Sequence, residues 1–217
     1  MGGRTPSGHC GCEKAGRLGE GGGGPHIPAM ARFLIKLLVA IGLSVVASCA
    51  TTASRGASQA DLDSMFQRLR TTHDPAEAQM LEVAIRHVWS HSGRAGVDEL
   101  MHHAATDIHD GDYDEALATL NDVISDDPEF AEGWNLRATV HFLRDEYPEA
   151  IADIHHVLTL EPRHFGALVG LGYVMLAMDE KRAALHAFEA ALAINPHLDD
   201  VRDEADSLED EVAGIPI

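Results

Sequence analysis

Residues 145–196 read DEYPEAIADIHHVLTLEPRHFGALVGLGYVMLAMDEKRAALHAFEAALAINP, and they say the same thing twice. Ala150, Ile154, Leu158 and Pro162 are spaced by four, and so are Ala184, Phe188, Leu192 and Pro196. A spacing of four stacks side chains on one face of a helix. The proline ends each run, because its ring and missing N–H break a helix. The phrase also occurs once upstream, as Ala116, Leu120, Ile124 and Pro128. Each of these positions recurs after 34 residues, and Leu100, Trp134 and Leu168 keep the same interval. A fixed period of this length is the signature of a repeat array, in which each unit buries its apolar face against the next.

The array divides into units 97–130, 131–164 and 165–198. Each reads as two helices joined by a polar turn, Asp110 to Tyr113, Arg144 to Tyr147 and Met178 to Lys181. Small residues recur where two helices must touch: Ala104, Ala138 and Gly172 on the first helix, Ala116, Ala150 and Ala184 on the second. Gly166, Gly170 and Gly172 fall within one helix, so close packing explains them better than a phosphate-binding loop. These units resemble tetratricopeptide-repeat (TPR) motifs over 102 of the 217 residues. The resemblance implies an all-α fold, a right-handed solenoid of helical hairpins. There are departures: His103 and Arg137 stand where the family usually has leucine, and Asp107, His141 and Met175 replace an aromatic.

The flanks complete the layout. Leu62, Met65, Phe66 and Leu69 make one apolar helix face, and Leu81, Ile85, Val88 and Trp89 make another after Asp74-Pro75. Residues 60–93 are therefore expected to form an N-terminal helical hairpin, a divergent repeat or a cap. After the last unit, Leu198, Val201, Ala205, Leu208 and Val212 form a narrow stripe on an otherwise acidic segment, so 199–213 are expected to seal the open end as a capping helix.

Residues 1–29 are glycine-rich and aperiodic, either a leader preceding a start at Met30 or a disordered extension. From Met30, Arg32 and Lys36 precede an apolar run, Leu37 to Val46, and then Val46-Ala47-Ser48-Cys49. Residues 30–48 thus read as a signal peptide, with an apolar run too short for a spanning helix; an apolar stretch counted on to Ala53 is the alternative, an uncleaved anchor. The tetrapeptide resembles a bacterial lipobox, which implies lipidation at Cys49; cleavage after Ala50 is the alternative. Residues 49–59 read as a flexible tether. An exported protein anchored through Cys49 to a membrane of the cell envelope, the outer more than the inner, is the expected setting. The sequence also resembles signal-bearing proteobacterial TPR proteins, which gives a setting and no mechanism.

From Cys49 onward the chain carries 11 Lys and Arg against 33 Asp and Glu, a balance of −22. Such a surface repels phosphate backbones, so nucleic acid is not an expected partner. Of the three cysteines only Cys49 falls in this part, which leaves no disulfide framework. Twelve histidines follow it, and His87 and His91 are spaced as metal ligands could be, but neither HExxH nor a third ligand accompanies them. Nucleophile elbows, phosphate loops and dinucleotide fingerprints are missing too. No enzyme, metal or cofactor is expected.

The family resemblance instead implies a concave groove lined by the first helix of each unit. The positions turned inward would be Met101 and Ile108, then Asn135, Thr139 and Phe142, then Val169, Tyr173 and Leu176. They would hold a peptide or partner helix, with Phe142 and Tyr173 as aromatic anchors. The rival expectation is an assembly role, with the groove filled by the protein's own tether, by Ile215-Pro216-Ile217 or by a second copy. The sequence leaves the oligomeric state open.

Overall fold

A computed structural model describes residues 59–213. Nine helices follow one another in this span: α1 Gln59–Thr71, α2 Pro75–Trp89, α3 Ala95–Asp110, α4 Tyr113–Asp126, α5 Ala131–Leu143, α6 Tyr147–Leu160, α7 Phe165–Ala177, α8 Lys181–Ile194 and α9 Asp199–Ala213. No strand occurs among the described residues. The pairs α3–α4, α5–α6 and α7–α8 are the three repeats, stacked so that each second helix packs on the first helix of the next unit. The chain is an all-α solenoid of helical hairpins.

The recurring alanines explain the tight pairing. Ala104, Ala116, Ala150 and Ala184 are fully buried, and Leu120, Ile154 and Phe188 fill the space beside them. Gly172 is the extreme case: a Cβ there would lie 2.2 Å from Cε1 of Phe188, so only glycine lets α7 approach α8. Gly166 and Gly170 are not crowded in this way. An added Cβ would meet nothing closer than 3.4 Å and 3.9 Å respectively. Close packing therefore accounts for one of the three glycines.

The turn between the two helices of a unit has one geometry three times over. Gly111, Asp145 and Asp179 occupy equivalent positions, with φ of +85°, +60° and +61°. This left-handed conformation ends the first helix and suits glycine; aspartate is among the few residues that tolerate it. The end of the array is closed by α9, whose Val201, Ala205 and Leu208 are buried. Lys181 Nζ, at the start of α8, lies 2.7 Å from Glu211 Oε2 of α9.

The hairpin α1–α2 sits apart from this stacking order. Asp74 caps α2 by accepting a hydrogen bond from the Ala76 N–H, with Pro75 in the first turn. A divergent repeat or an N-terminal cap would have laid its apolar face against α3 and α4. Instead Leu62, Phe66, Leu69, Ala78, Leu81 and Ile85 share one core cluster with Phe165, Val169 and Tyr173 of α7 and with Leu198, Val201, Ala205 and Leu208. The first repeat's cluster, around Val97, Ala104, Leu120 and Val123, contains no hairpin residue. The hairpin folds back across the array onto the third unit and α9.

Candidate functional site

The inward positions implied by the resemblance are not open. In the first unit, Met101 and Ile108 are buried in the cluster that joins α3 and α4 to Leu136 and Val140 of α5. In the second unit, Asn135 and Thr139 are buried and bonded locally. Asn135 Nδ2 donates to Glu132 Oε1 at 3.2 Å, and Thr139 Oγ1 donates to the Asn135 carbonyl at 3.0 Å. Phe142 is half-buried and bridges the clusters of the second and third units. In the third unit, Val169 and Tyr173 keep 1% and 4% of their surface, and Leu176 packs beside them. The structure brings Phe142, Val169, Tyr173 and Leu176 together, in the cluster that also holds the hairpin. Met101 and Ile108 lie in a separate cluster.

The hairpin reaches α7 and α9 through a small set of directed contacts. The Trp89 indole stacks on the His164 ring, with centroids 4.2 Å apart and planes 15° apart, and lies 5.1 Å from the Phe165 ring. The Arg163 guanidinium sits 4.5 Å above the Phe66 ring and pairs with Asp63 at 2.6 Å. Asn195 Nδ2 donates to Glu82 Oε2 at 3.3 Å, and His197 Nε2 donates to the Leu69 carbonyl at 2.9 Å. No backbone-to-backbone hydrogen bond joins the hairpin to the array among the described residues. The Trp89 indole N–H is buried at this seam, and no acceptor meets it among the described residues.

His164 organises the seam. Its Nδ1 accepts the Ala167 N–H at 3.0 Å, capping α7, so the ring proton belongs on Nε2, which faces Glu132 Oε2 at 3.1 Å. One imidazole thus caps α7, ties α5 to α7 and offers its face to Trp89. Burial pushes the Tyr173 phenol up to about 12, with the carboxylates of Glu204 and Asp200 adding to the effect. The burial that raises it is that of an interior, not of an open groove.

The family departures in the second unit form a charged network in the hairpin α5–α6 that also reaches Asn121 of α4. Arg137 holds Asp153 bidentately, at 2.8 and 2.7 Å, and donates to Asn121 at 2.7 Å. Its guanidinium lies 4.9 Å from the Trp134 ring centroid. His141 stands between Glu146 at 2.7 Å and Asp153 at 3.8 Å. His141 first, then Arg144, holds the Glu146 carboxyl below its usual range. These residues replace apolar contacts inside the repeat and do not reach the inward face. The signal was in the sequence: Asp153 stands where the other units have Thr119 and Ala187, so an acid appears in the same unit as Arg137.

His87 and His91 lie with ring centroids 4.2 Å apart, and His91 Nδ1 faces the His87 carbonyl at 2.8 Å. Among the described residues no three potential ligands converge. Likewise, no described helix is long and apolar enough to cross a membrane. Cys49, the segment 30–48 and residues 49–58 of the tether lie outside the described residues.

Three stacked helical hairpins with a 34-residue period define a helical-repeat scaffold. The chain belongs to the TPR family: it is 35% identical over 153 residues to a TPR repeat-containing protein of Rhizobium etli, covering 70% of this chain and 75% of that one. Protein bimA of Emericella nidulans is 32% identical over 88 residues, 41% of this chain and 11% of its own length. No family model matches the chain. Among solved structures, the first TPR of Spaghetti (RPAP3) bound to HSP90 peptide SRMEEVD aligns with a TM-score of 0.52 at 19% identity, over 54% of this chain and 94% of that one. The TPR2B domain of yeast Sti1 in its pHsp70 complex aligns with a TM-score of 0.50 at 22% identity, over 55% and 98%. At these identities the likeness is one of fold.

Proposed function

We propose that this chain is a non-enzymatic adaptor, exported to the cell envelope and held there through a lipidated Cys49, that binds a peptide or helix on the inward face of its repeats. A TPR array is a protein-interaction module, because stacked first helices present a continuous surface instead of a closed pocket. The observation that carries the reading is the apolar strip Phe142, Val169, Tyr173 and Leu176, which here accepts two amphipathic helices side by side. The acidic surface fits a basic or neutral partner and faster association at low salt. Export and lipidation rest on the apolar run before Cys49 and the small residues leading into it.

The assembly reading has one observation in its favour: the strip is covered by a segment of the same chain. That segment is the hairpin α1–α2; the tether residues 49–58 and the tripeptide 215–217 lie outside the described residues. Two measurements test the proposal. Fatty-acid labelling should mark the wild type and not Cys49→Ser, which should move to the soluble fraction. A photo-crosslinker at Leu176 should trap an envelope protein, and the trapping should fall when Phe142 is changed to alanine. An unlabelled, soluble wild type sinks the anchoring. Trapping of nothing beyond the chain's own hairpin sinks the adaptor role.

A further inference from the structure

The hairpin is joined to the array by a short, pinned hinge. The Ser92 N–H and Oγ both bond Asp98 Oδ1 at 2.8 Å, and Arg94 donates to the Asp126 carbonyl, so the linker is fixed to the first repeat. Gly93, at φ +76°, lies between these two anchors and makes the bend of the fixed linker with little steric penalty, so that Ser90 and His91 alone join α2 to the pinned Ser92. The hinge is thus bolted at one end of the array while the hairpin rests at the other. The contacts named at the far end are made by side chains, with His197 reaching the Leu69 carbonyl, and no backbone-to-backbone bond crosses among the described residues. A segment held in this way can open without unravelling the repeats, since no ladder of backbone bonds crosses the seam.

The resident hairpin also writes out the chemistry of what the face accepts. Leu62, Phe66 and Leu69 present anchors at i, i+4 and i+7, and Leu81, Ile85 and Trp89 at i, i+4 and i+8. An acid beside the first set, Asp63, meets Arg163, and an aromatic ring lies under the same guanidinium. Arg163 is directed further by Glu161, which lies 2.9 Å from its Nε and holds the guanidinium over the seam. We propose that the α7–α9 face is a docking site for an amphipathic helix of a partner protein, one with aliphatic and aromatic anchors at helical spacing and a carboxylate for Arg163, and that α1–α2 is its intramolecular stand-in. The partner helix takes the place of the hairpin, which swings out about Ser90 and His91, ahead of the pinned Ser92. This rests on the adaptor reading above and adds the class of ligand and the step that admits it. The face commits to a helix and not to an extended peptide, because its depth is already matched to helix-borne side chains.

The probe is a labelled synthetic peptide of residues 59–94, tested against the full chain. In the wild type the tethered hairpin competes at high effective concentration and the peptide should bind weakly. Phe66→Ala with Trp89→Ala weakens only the resident hairpin, and the peptide should then bind at least about tenfold more tightly. Arg163→Glu in that background should weaken binding severalfold, and a peptide carrying Asp63→Arg should recover it. Hydrogen exchange on the wild type gives a readout without mutation: α1 and α2 should exchange through an opening that leaves α5 to α8 protected. The proposal is overturned if the hairpin exchanges only when the whole molecule does, or if the weakened variant binds no better than wild type. A variant dimer that the peptide cannot disperse would assign the face to a second copy and overturn it too. Peptide docking that succeeds while labelling at Cys49 and crosslinking both fail would retire the envelope adaptor and keep this site. Failure of docking with a trapped partner would do the reverse.

Discussion

Replacing Arg137 by leucine restores the family's usual residue, and it should nonetheless destabilise the protein. The guanidinium is the main partner of Asp153, whose side chain is only 5% exposed, while Arg137 itself keeps 18% of its surface. Removing one member of a buried pair costs about 3–5 kcal/mol, because the other charge stays desolvated and unpaired. Two features pull the value to the lower end. His141 Nε2 remains 3.8 Å from Asp153, and the new leucine recovers roughly 1.5–3 kcal/mol if it packs fully. A net loss of ~2 kcal/mol follows, or about 4–8 °C in Tm for a chain of this size. Asp153→Ala should cost less, since the freed Arg137 keeps Asn121 and can reach water. The double variant Arg137→Leu with Asp153→Ala removes the stranded charge and should return to within ~1 kcal/mol of wild type or above it. Urea titrations followed by circular dichroism measure all three. If the double variant is no more stable than Arg137→Leu alone, the buried pair is not what the departures are about.

Gly172→Ala should destabilise by roughly 1–3 kcal/mol, because the added methyl would lie 2.2 Å from Cε1 of the fully buried Phe188 ring and something must shift to admit it; an unchanged melting curve would contradict the contact. Gly111→Ala should cost about 1–2 kcal/mol at its φ of +85°, whereas Gly96→Ala, in a helical position with open space around it, should be neutral or stabilising by up to ~1 kcal/mol. Equal effects of the two would refute the left-handed assignment. Tyr173 sets an alkaline limit. Its folded value of about 12 lies above the ordinary 10, so its contribution is fully present below pH 10 and is lost as pH rises toward 12, up to ~3 kcal/mol. Tyr173→Phe should remove both that loss and the late step in the near-ultraviolet absorbance titration.

The repeat was legible because its determinants are local and periodic. Ala116, Ala150 and Ala184 must be small whatever surrounds the unit, and a proline ends a helix in any context, so 34-residue spacing translates directly into hairpins. The position of the hairpin α1–α2 was not legible from its own periodicity, since an amphipathic face says that it is buried and not against what. The information lay in a comparison across units. Continuing the 34-residue register backward from Ala104 and Ala116 lands on Arg70 and Glu82, where a stacked repeat needs small residues. Arg70 is exposed in the structure, and Glu82 reaches Asn195 in the loop before α9. A segment that fails the close-packing test of the array has to dock elsewhere, and here it docks on the inward strip of the third unit.

That strip also explains why the third unit is the one covered. Its first helix carries Phe165, Val169 and Tyr173 in one line, whereas the same positions of the second unit are Ala131, Asn135 and Thr139. Asn135 and Thr139 satisfy their polar groups within α5, so that helix is content beside a neighbour without needing an apolar cover. The α7 line has no such local solution. Left open, with Leu198 and Leu176 beside it, it would present an apolar patch of the kind that soluble chains rarely leave bare. The hairpin's affinity for the array is therefore concentrated at one end, next to the acidic α9, while its hinge is fixed at the other. The separation between anchor and contact is what lets a single opening event uncover the whole strip, and it makes the Arg163 and Trp89 contacts the place where a competing helix would have to win.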